Sequence, residues 1–324
     1  MSASNLPLIL ITNTVPASVL APLAKIARVI MGPNNGDLML RSEVLHLAPQ
    51  LAGIINQAEL RVDQELLTLA PQLKIVANIS IGVDNLNLDL MADHGVYATN
   101  TPLAFVETTA EFTLGMMLAL ARRIPAADRY VRAGTWQSFQ PGIWDGTLLQ
   151  GKTLGLIGYG AIGQSVARRA RAFGMNILHY QRTASTAPGY LPLNELLHAS
   201  DFVSLHVPLN HDSHHLLNAE RLRSMKSGAY LINASRGRVV DEHALVAALQ
   251  SGHLAGAALD VFENEPQLHP ALSLMSNVVL TPHIGGGTTE SRHQARSLCV
   301  ENLTRVLAGL RPVNALNNPK PRAK

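Results

Sequence analysis

At 324 residues, 47% hydrophobic and 15% charged, the chain has the composition of a soluble enzyme with apolar material for two domains. A net charge of +3 with no run of Lys or Arg excludes a nucleic-acid stripe, and no apolar run approaches the roughly 20 residues of a membrane helix. A lone cysteine, Cys299, excludes an internal disulfide; with no basic residue ahead of the apolar run at 6–11, it points to the cytoplasm.

Residues 6–12 read as a strand, 16–28 as a helix, 51–55 and 74–79 as strands, and 96–98 as a short strand. Strands alternating with helices predict an open parallel sheet, and this first unit carries no glycine-rich turn. A long helix is expected over 108–134, with Thr108-Thr-Ala-Glu111 resembling a capping box and Pro125 kinking it. Irregular chain follows over 136–151. A second α/β series then has strands at 153–157, 176–180, 202–206, 229–233, 257–259 and 278–280, with a helix over 241–251 closed by Gly252. A final helix runs from 288 to about 310 and leads into a Pro/Asn-rich stretch and a loose basic tail, 320–324.

The second series opens on the apolar strand 154–157, followed by Gly158, Gly160 and Gly163 in G-x-G-x-x-G spacing. Ile162, Val166, Ala167 and Ala170 then recur at helical spacing. The glycines in turn allow a tight turn, close approach to a pyrophosphate, and close packing of helix on strand. The motif alone is weak. Strand before and helix after make it a dinucleotide site.

Ligands in doubly wound sheets bind beyond the carboxyl ends of strands. Three strand ends here carry chemistry: Asn233-Ala-Ser-Arg236, Asp260-Val-Phe-Glu263-Asn-Glu265, and Thr281-Pro-His283. A fourth, Asn78-Ile-Ser-Ile-Gly82, ends a strand of the first unit. An arginine fork can hold a carboxylate and polarise a carbonyl. A histidine can pass a proton while hydride moves, and a carboxylate bonded to it raises its pKa and fixes its ring. His211, His214 and His215 form an H-x-x-H-H cluster, but with no acidic or thiol companion they read as a solvated loop and no metal is expected.

These motifs, with Ser80-Ile-Gly-Val-Asp84 and Asn100-Thr-Pro102, resemble the D-isomer-specific 2-hydroxyacid dehydrogenase family over nearly the whole chain. The glyoxylate/hydroxypyruvate and 2-ketogluconate reductases are the nearest in pattern. The resemblance implies a Rossmann-type cofactor domain, residues 101–285, inserted in a flavodoxin-like substrate domain, 1–100 and 286–324. It implies Arg236 as substrate-binding group, His283 as acid/base, and Glu265, rather than Glu263, as the histidine's partner. Ile81 and Gly82 would offer N–H groups to the substrate carboxylate. Asp260 would face the nicotinamide, with Thr108 and Pro208 nearby, and Gly158, Gly160, Ala161, Ile162 and Gly163 would hold the phosphates. Trp136 and Trp144 match aromatic residues that relatives send toward a partner subunit, and a homodimer is implied.

An NAD site ends its second strand in Asp or Glu. Here the strand 176–180 runs into Gln181-Arg182-Thr183, with no acid and with Arg182 placed for a 2′-phosphate, helped by Thr183 or Ser185. NADPH (NADP) is therefore preferred, with NADH (NAD) possible. The expected activity is reduction of a small 2-oxo acid. A non-catalytic dinucleotide-sensing regulator of the co-repressor type stays open, because such proteins retain much of the same residue set.

Overall fold

A computed structural model describes residues 6–33, 35, 37–57 and 59–321. The chain divides into two units, Met1–Phe105 with Thr288–Lys324, and Val106–Gly287.

In the first unit β1 (Leu8–Ile11), β2 (Arg28–Met31), β3 (Leu51–Asn56), β4 (Ile75–Asn78) and β5 (Tyr97–Thr99) form one sheet. All pairs are parallel, in the flavodoxin-like order β2-β1-β3-β4-β5. Strands β1, β3 and β4 are buried along their whole length, which is why they read as unbroken apolar runs. Their side chains alternate between two cores. Ile9, Ile11 and Ile75 pack with α1 (Ala17–Leu20) and with Ala295, Cys299 and Leu303 of the final helix. Leu10, Ile54 and Val76 pack with α2 (Arg41–Leu47), α3 (Gln64–Leu69) and α4 (Leu88–Asp93).

The helix expected over 16–28 is only α1 and a 3-10 turn, Leu23–Lys25, before β2. Pro22 lacks the N–H a continuing helix needs, and β2 is a half-exposed edge strand too short to show a period. The basic end expected to be loose is tied down where it is described. Lys320 donates its N–H to Ala92 O at 2.8 Å and its Nζ lies 2.6 Å from Asp93. Residues 322–324 lie outside the described residues. Asn317 accepts from Ala98 N–H at 2.9 Å and Leu316 donates to Ala98 O at 2.9 Å, so this stretch covers the open edge of β5.

In the second unit the long helix expected over 108–134 is two helices, α5 (Val106–Ala121) and α6 (Ile124–Arg132), parted at Arg123 with φ 54°. Pro125 sits in the first turn of α6, where its missing N–H costs nothing, so the break precedes it. Because α5 starts before Thr108, that residue lies within the first turn and not at a cap. Glu111 pairs instead with Arg169 at 3.0 Å.

Strands β6 (Thr153–Ile157), β7 (Asn176–Tyr180), β8 (Phe202–Leu205), β9 (Ala229–Asn233), β10 (Leu254–Leu259) and β11 (Val278–Leu280) form a parallel sheet ordered β11-β10-β9-β8-β6-β7. Tyr190 forms an isolated parallel bridge to His179 on the outer side of β7. Helices α7 (Ala161–Ala172), α8 (Leu193–Ala199), α9 (Ala219–Ser224), α10 (Glu242–Gln250) and α11 (Pro270–Leu274) complete the unit, and α12 (Thr289–Leu307) returns to the first. Phe202, Ile232 and Ala258 face one core while Val203, Leu231 and Leu259 face the other. The chain reverses direction across the sheet between β6 and β8, the switch point at which such sheets open a crevice. Among the described residues no helix is long and apolar enough to cross a membrane.

Candidate active site

Beyond β6 the chain turns at Gly158, φ 99°, where an added Cβ would lie 2.3 Å from the carbonyl oxygen of His206. A Cβ on Gly163 would lie 2.2 Å from the carbonyl oxygen of Gly158. Both glycines are demanded by the protein's own packing. Gly160 differs: it caps α7 with φ −74° and ψ −164°, and an added Cβ would meet nothing within 4 Å. Its surface is therefore open at the helix end where Ala161, Ile162 and Gly163 begin the first turn. N–H groups without intrahelical partners and the positive dipole end gather there. That cradle fits a pyrophosphate.

Beyond β7, Gln181 is half-buried, Thr183 exposed, and the Arg182 side chain 81% exposed. Arg182 Nη1 lies 3.5 Å from Asp212 Oδ2, on the loop after β8. An acid thus stands near Arg182 after all, supplied from the neighbouring loop. Pro208 is exposed on that same loop, and Thr108 is half-buried on α5.

The loops after β9, β10 and β11 interlock. Asn233 Nδ2 donates to Arg236 O at 3.0 Å, and Arg236 Nη1 donates to Ser235 O at 2.8 Å. Gly237 abuts the next loop so closely that a Cβ would lie 1.9 Å from the Phe262 carbonyl. His283 has φ 53°, a left-handed backbone that costs a non-glycine residue about 1–3 kcal/mol and persists where its surroundings enforce it.

Asp260 enforces it. Its side chain is 1% exposed, and its Oδ1 accepts from Thr281 Oγ1 at 2.6 Å and from Ile284 N–H at 2.8 Å. Its Oδ2 accepts from Gly285 N–H at 2.7 Å, and its carbonyl accepts from His283 N–H at 2.9 Å. The carboxylate expected to face the nicotinamide is thus engaged with the histidine's own loop. Sequence reading missed this role, because the donors lie 21 to 25 residues further along the chain.

His283 Nδ1 lies 2.8 Å from Glu265 Oε2, and Glu265 Oε1 accepts from Phe262 N–H at 3.0 Å. Burial pushes the Glu265 carboxyl up, but the His283 bond and charge, the Phe262 N–H and the Arg236 charge outweigh it and hold it below the usual carboxylate range. A carboxylate on Nδ1 fixes the tautomer in which Nε2 faces away from Glu265, available for proton exchange.

A family model, "D-isomer specific 2-hydroxyacid dehydrogenase, NAD binding domain", matches residues 114–285. A glyoxylate reductase of Thermococcus litoralis is 39% identical over 321 residues, 96% of this chain and 97% of its own. The chain belongs to this dehydrogenase family. A crystal structure of a Thermus thermophilus protein superposes with a TM-score of 0.91, 42% identical, covering 95% of this chain and 99% of that one. An NADPH-dependent glyoxylate/hydroxypyruvate reductase of Sinorhizobium meliloti, solved with NADP and malonate, has a TM-score of 0.83 at 32% identity, covering 98% and 99%. As a family member the chain is an NAD(P)-dependent oxidoreductase and binds a nicotinamide dinucleotide.

The remaining expected residues of this dehydrogenase lie in both units. In the first, Ser80 Oγ donates to Gly82 O at 2.6 Å and Asn100 Nδ2 to Ile81 O at 2.8 Å, which shapes the loop. In the second, Trp136 is exposed, but Trp144 packs at home, 5.2 Å from Tyr130 and 5.0 Å under the Arg123 guanidinium. His211 is fully exposed, yet His215 is no solvated loop residue: its Nε2 lies 2.7 Å from Glu263 Oε1, with His214 stacked on it at 4.2 Å. Among the described residues no group of three His, Cys, Asp or Glu side chains is placed to hold a metal ion.

Proposed function

We propose that this dehydrogenase reduces a small 2-oxo acid of the glyoxylate, hydroxypyruvate or 2-ketogluconate type to the D-2-hydroxy acid, with NADPH. The observation that carries the reading is the 2.8 Å bond between His283 Nδ1 and Glu265, on loops at the same carboxyl end of the parallel sheet as the glycine turn. A bound nicotinamide dinucleotide supplies the hydride to the carbonyl carbon. Arg236 holds the substrate carboxylate and carbonyl oxygen by its planar fork. His283, with Nδ1–H committed to Glu265, gives the Nε2 proton to that oxygen as negative charge develops on it. Glu265 holds the ring so that Nε2 is the atom left for that transfer. By resemblance, Ile81 and Gly82 bind the carboxylate through their N–H groups.

Gly158, Gly160, Ala161, Ile162 and Gly163 would hold the phosphates, with Thr108, Pro208 and Asp260 near the nicotinamide. NADPH over NADH is supported by Arg182 where an NAD site carries an acid, and by the Sinorhizobium relative with NADP. Gln181 and Thr183 would assist Arg182. A homodimer is supported by the apolar exposure of Trp136, Phe139 and Leu148. A free, buried Cys299 suits a reducing, cytoplasmic setting.

The test is a panel of 2-oxo acids with NADPH and NADH, followed at the reduced-nicotinamide absorbance. Turnover of glyoxylate or hydroxypyruvate with NADPH is expected. A flat trace across the panel overturns the activity, and a tenfold higher specificity constant for NADH overturns the cofactor choice.

A further inference from the structure

The loop after β10 carries two glutamates separated by Asn264, and each holds a histidine. Glu265 Oε2 meets His283 Nδ1 at 2.8 Å; Glu263 Oε1 meets His215 Nε2 at 2.7 Å. Both histidines have left-handed backbones, φ 53° at His283 and 47° at His215. The first pair stands at the proton-transfer site. The second has no part in the chemistry described so far.

Glu263 ties that loop to three other segments. Its N–H donates to Glu242 Oε2 at 3.0 Å, and its Oε2 accepts from Glu242 N–H at 3.3 Å. Its carbonyl accepts from Arg238 Nε at 3.1 Å. His215 is itself fixed, donating its N–H to Arg238 O at 2.8 Å. Glu242 is buried, and its other oxygen accepts from His269 N–H. Glu263 therefore anchors its loop to the loop after β8, to the 3-10 turn Gly237–Val239 and to the start of α10. One residue earlier, the Phe262 N–H holds Glu265 Oε1 at 3.0 Å. Whatever fixes residues 262–263 fixes the carboxylate on His283.

We propose that His215 and Glu263 are positioning residues for proton transfer: the bond between them sets where Glu265 stands against His283. The charged groups around the two pairs are His214, Arg238, Glu242 and His269 behind, and Arg236 in front. Misplacement by about 1 Å at such a bond can cost two orders of magnitude in rate. A loosened Glu265 also holds the His283 proton less firmly. Reduction needs protonated His283, so its fall-off toward alkaline pH moves to lower pH.

The kinetic arm rests on the proton-donor reading of His283; the titration arm does not. The experiment compares His215→Gly, Glu263→Ala and Glu263→Gln with the parent. It measures the pH profile of glyoxylate reduction, the KM for NADPH, and the NMR titration of the His283 ring without cofactor. His215→Gly accepts the left-handed backbone better than histidine, so it removes the pair without added strain. Expected are a lowered kcat with little change in the KM for NADPH, and a shift of about one pH unit downward in both the alkaline limb and the His283 titration. Glu263→Gln, which keeps a hydrogen-bond acceptor, recovers most of the shift. A folded His215→Gly variant with an unmoved His283 titration overturns the proposal, whether or not any variant is active. An absent activity with a shifted titration overturns the enzymatic reading alone.

Discussion

Glu265 is held between two donors, His283 Nδ1 at 2.8 Å on one oxygen and the Phe262 N–H at 3.0 Å on the other. The position makes it a partner for an imidazolium and keeps it ionised below the usual carboxylate range, against burial. Because its folded pKa is depressed, its contribution to stability is complete above the ordinary carboxylate value. That contribution is lost as pH falls through the lowered one. Glu265→Gln is expected to flatten part of the acid limb of a stability-against-pH curve measured by thermal unfolding. An unchanged acid limb counts against the pairing.

Replacing His283 by alanine removes the proposed proton donor but none of the residues proposed to hold the dinucleotide. A fall in kcat of about 10²- to 10⁴-fold is expected, with NADPH affinity, read by fluorescence titration, within about twofold of the parent. Lost cofactor affinity would mean that His283 serves binding.

Asp260 does more for His283 than its place near a nicotinamide suggests. Three donors, Thr281 Oγ1, Ile284 N–H and Gly285 N–H, converge on a carboxylate that is almost wholly buried. Asp260→Ala leaves them unsatisfied, at about 1–3 kcal/mol for each buried group. Thermal unfolding should show a loss of several degrees, with kcat falling as well because the left-handed turn at His283 is no longer enforced. A variant of parental stability would show that the loop is held by other means.

The strand ends bearing Arg236, Glu265 and His283 were legible because each follows an apolar run of parallel-strand length, and because the residue types themselves imply the chemistry. Strand β2 was not, since an edge strand of four half-exposed residues has no period to read. The left-handed backbones of His215 and His283 are set by tertiary bonds from distant loops, so no local signal marks them. His215 looked solvated because its partner, Glu263, lies 48 residues away. Asp212, likewise, reaches Arg182 from a different loop.

Gly160 and Gly163 of the turn should separate by substitution. Gly163→Ala forces a Cβ to within 2.2 Å of the Gly158 carbonyl and should lower the melting temperature by several degrees. Gly160→Ala meets open space and keeps an ordinary backbone angle, so the fold should tolerate it. Its methyl group would stand where a pyrophosphate approaches, and the Kd for NADPH should rise about tenfold or more. If Gly160→Ala binds NADPH as the parent does, the cradle has been misplaced.

The proposed preference for NADPH rests on Arg182, which Asp212 faces. The exposed pair at 3.5 Å is worth little by itself, because solvent screens both charges. A 2′-phosphate brings a stronger acceptor, and a charge-assisted bond to it contributes about 1.5–3 kcal/mol. Arg182→Ala should therefore raise the KM for NADPH by roughly ten- to a hundredfold while leaving that for NADH nearly unchanged. Asp212→Asn removes the competing acid and should move the ratio of specificity constants further toward NADPH. If the Arg182→Ala variant loses NADPH and NADH affinity equally, the guanidinium does not read the phosphate, and the absence of an acid after β7 carries no cofactor preference.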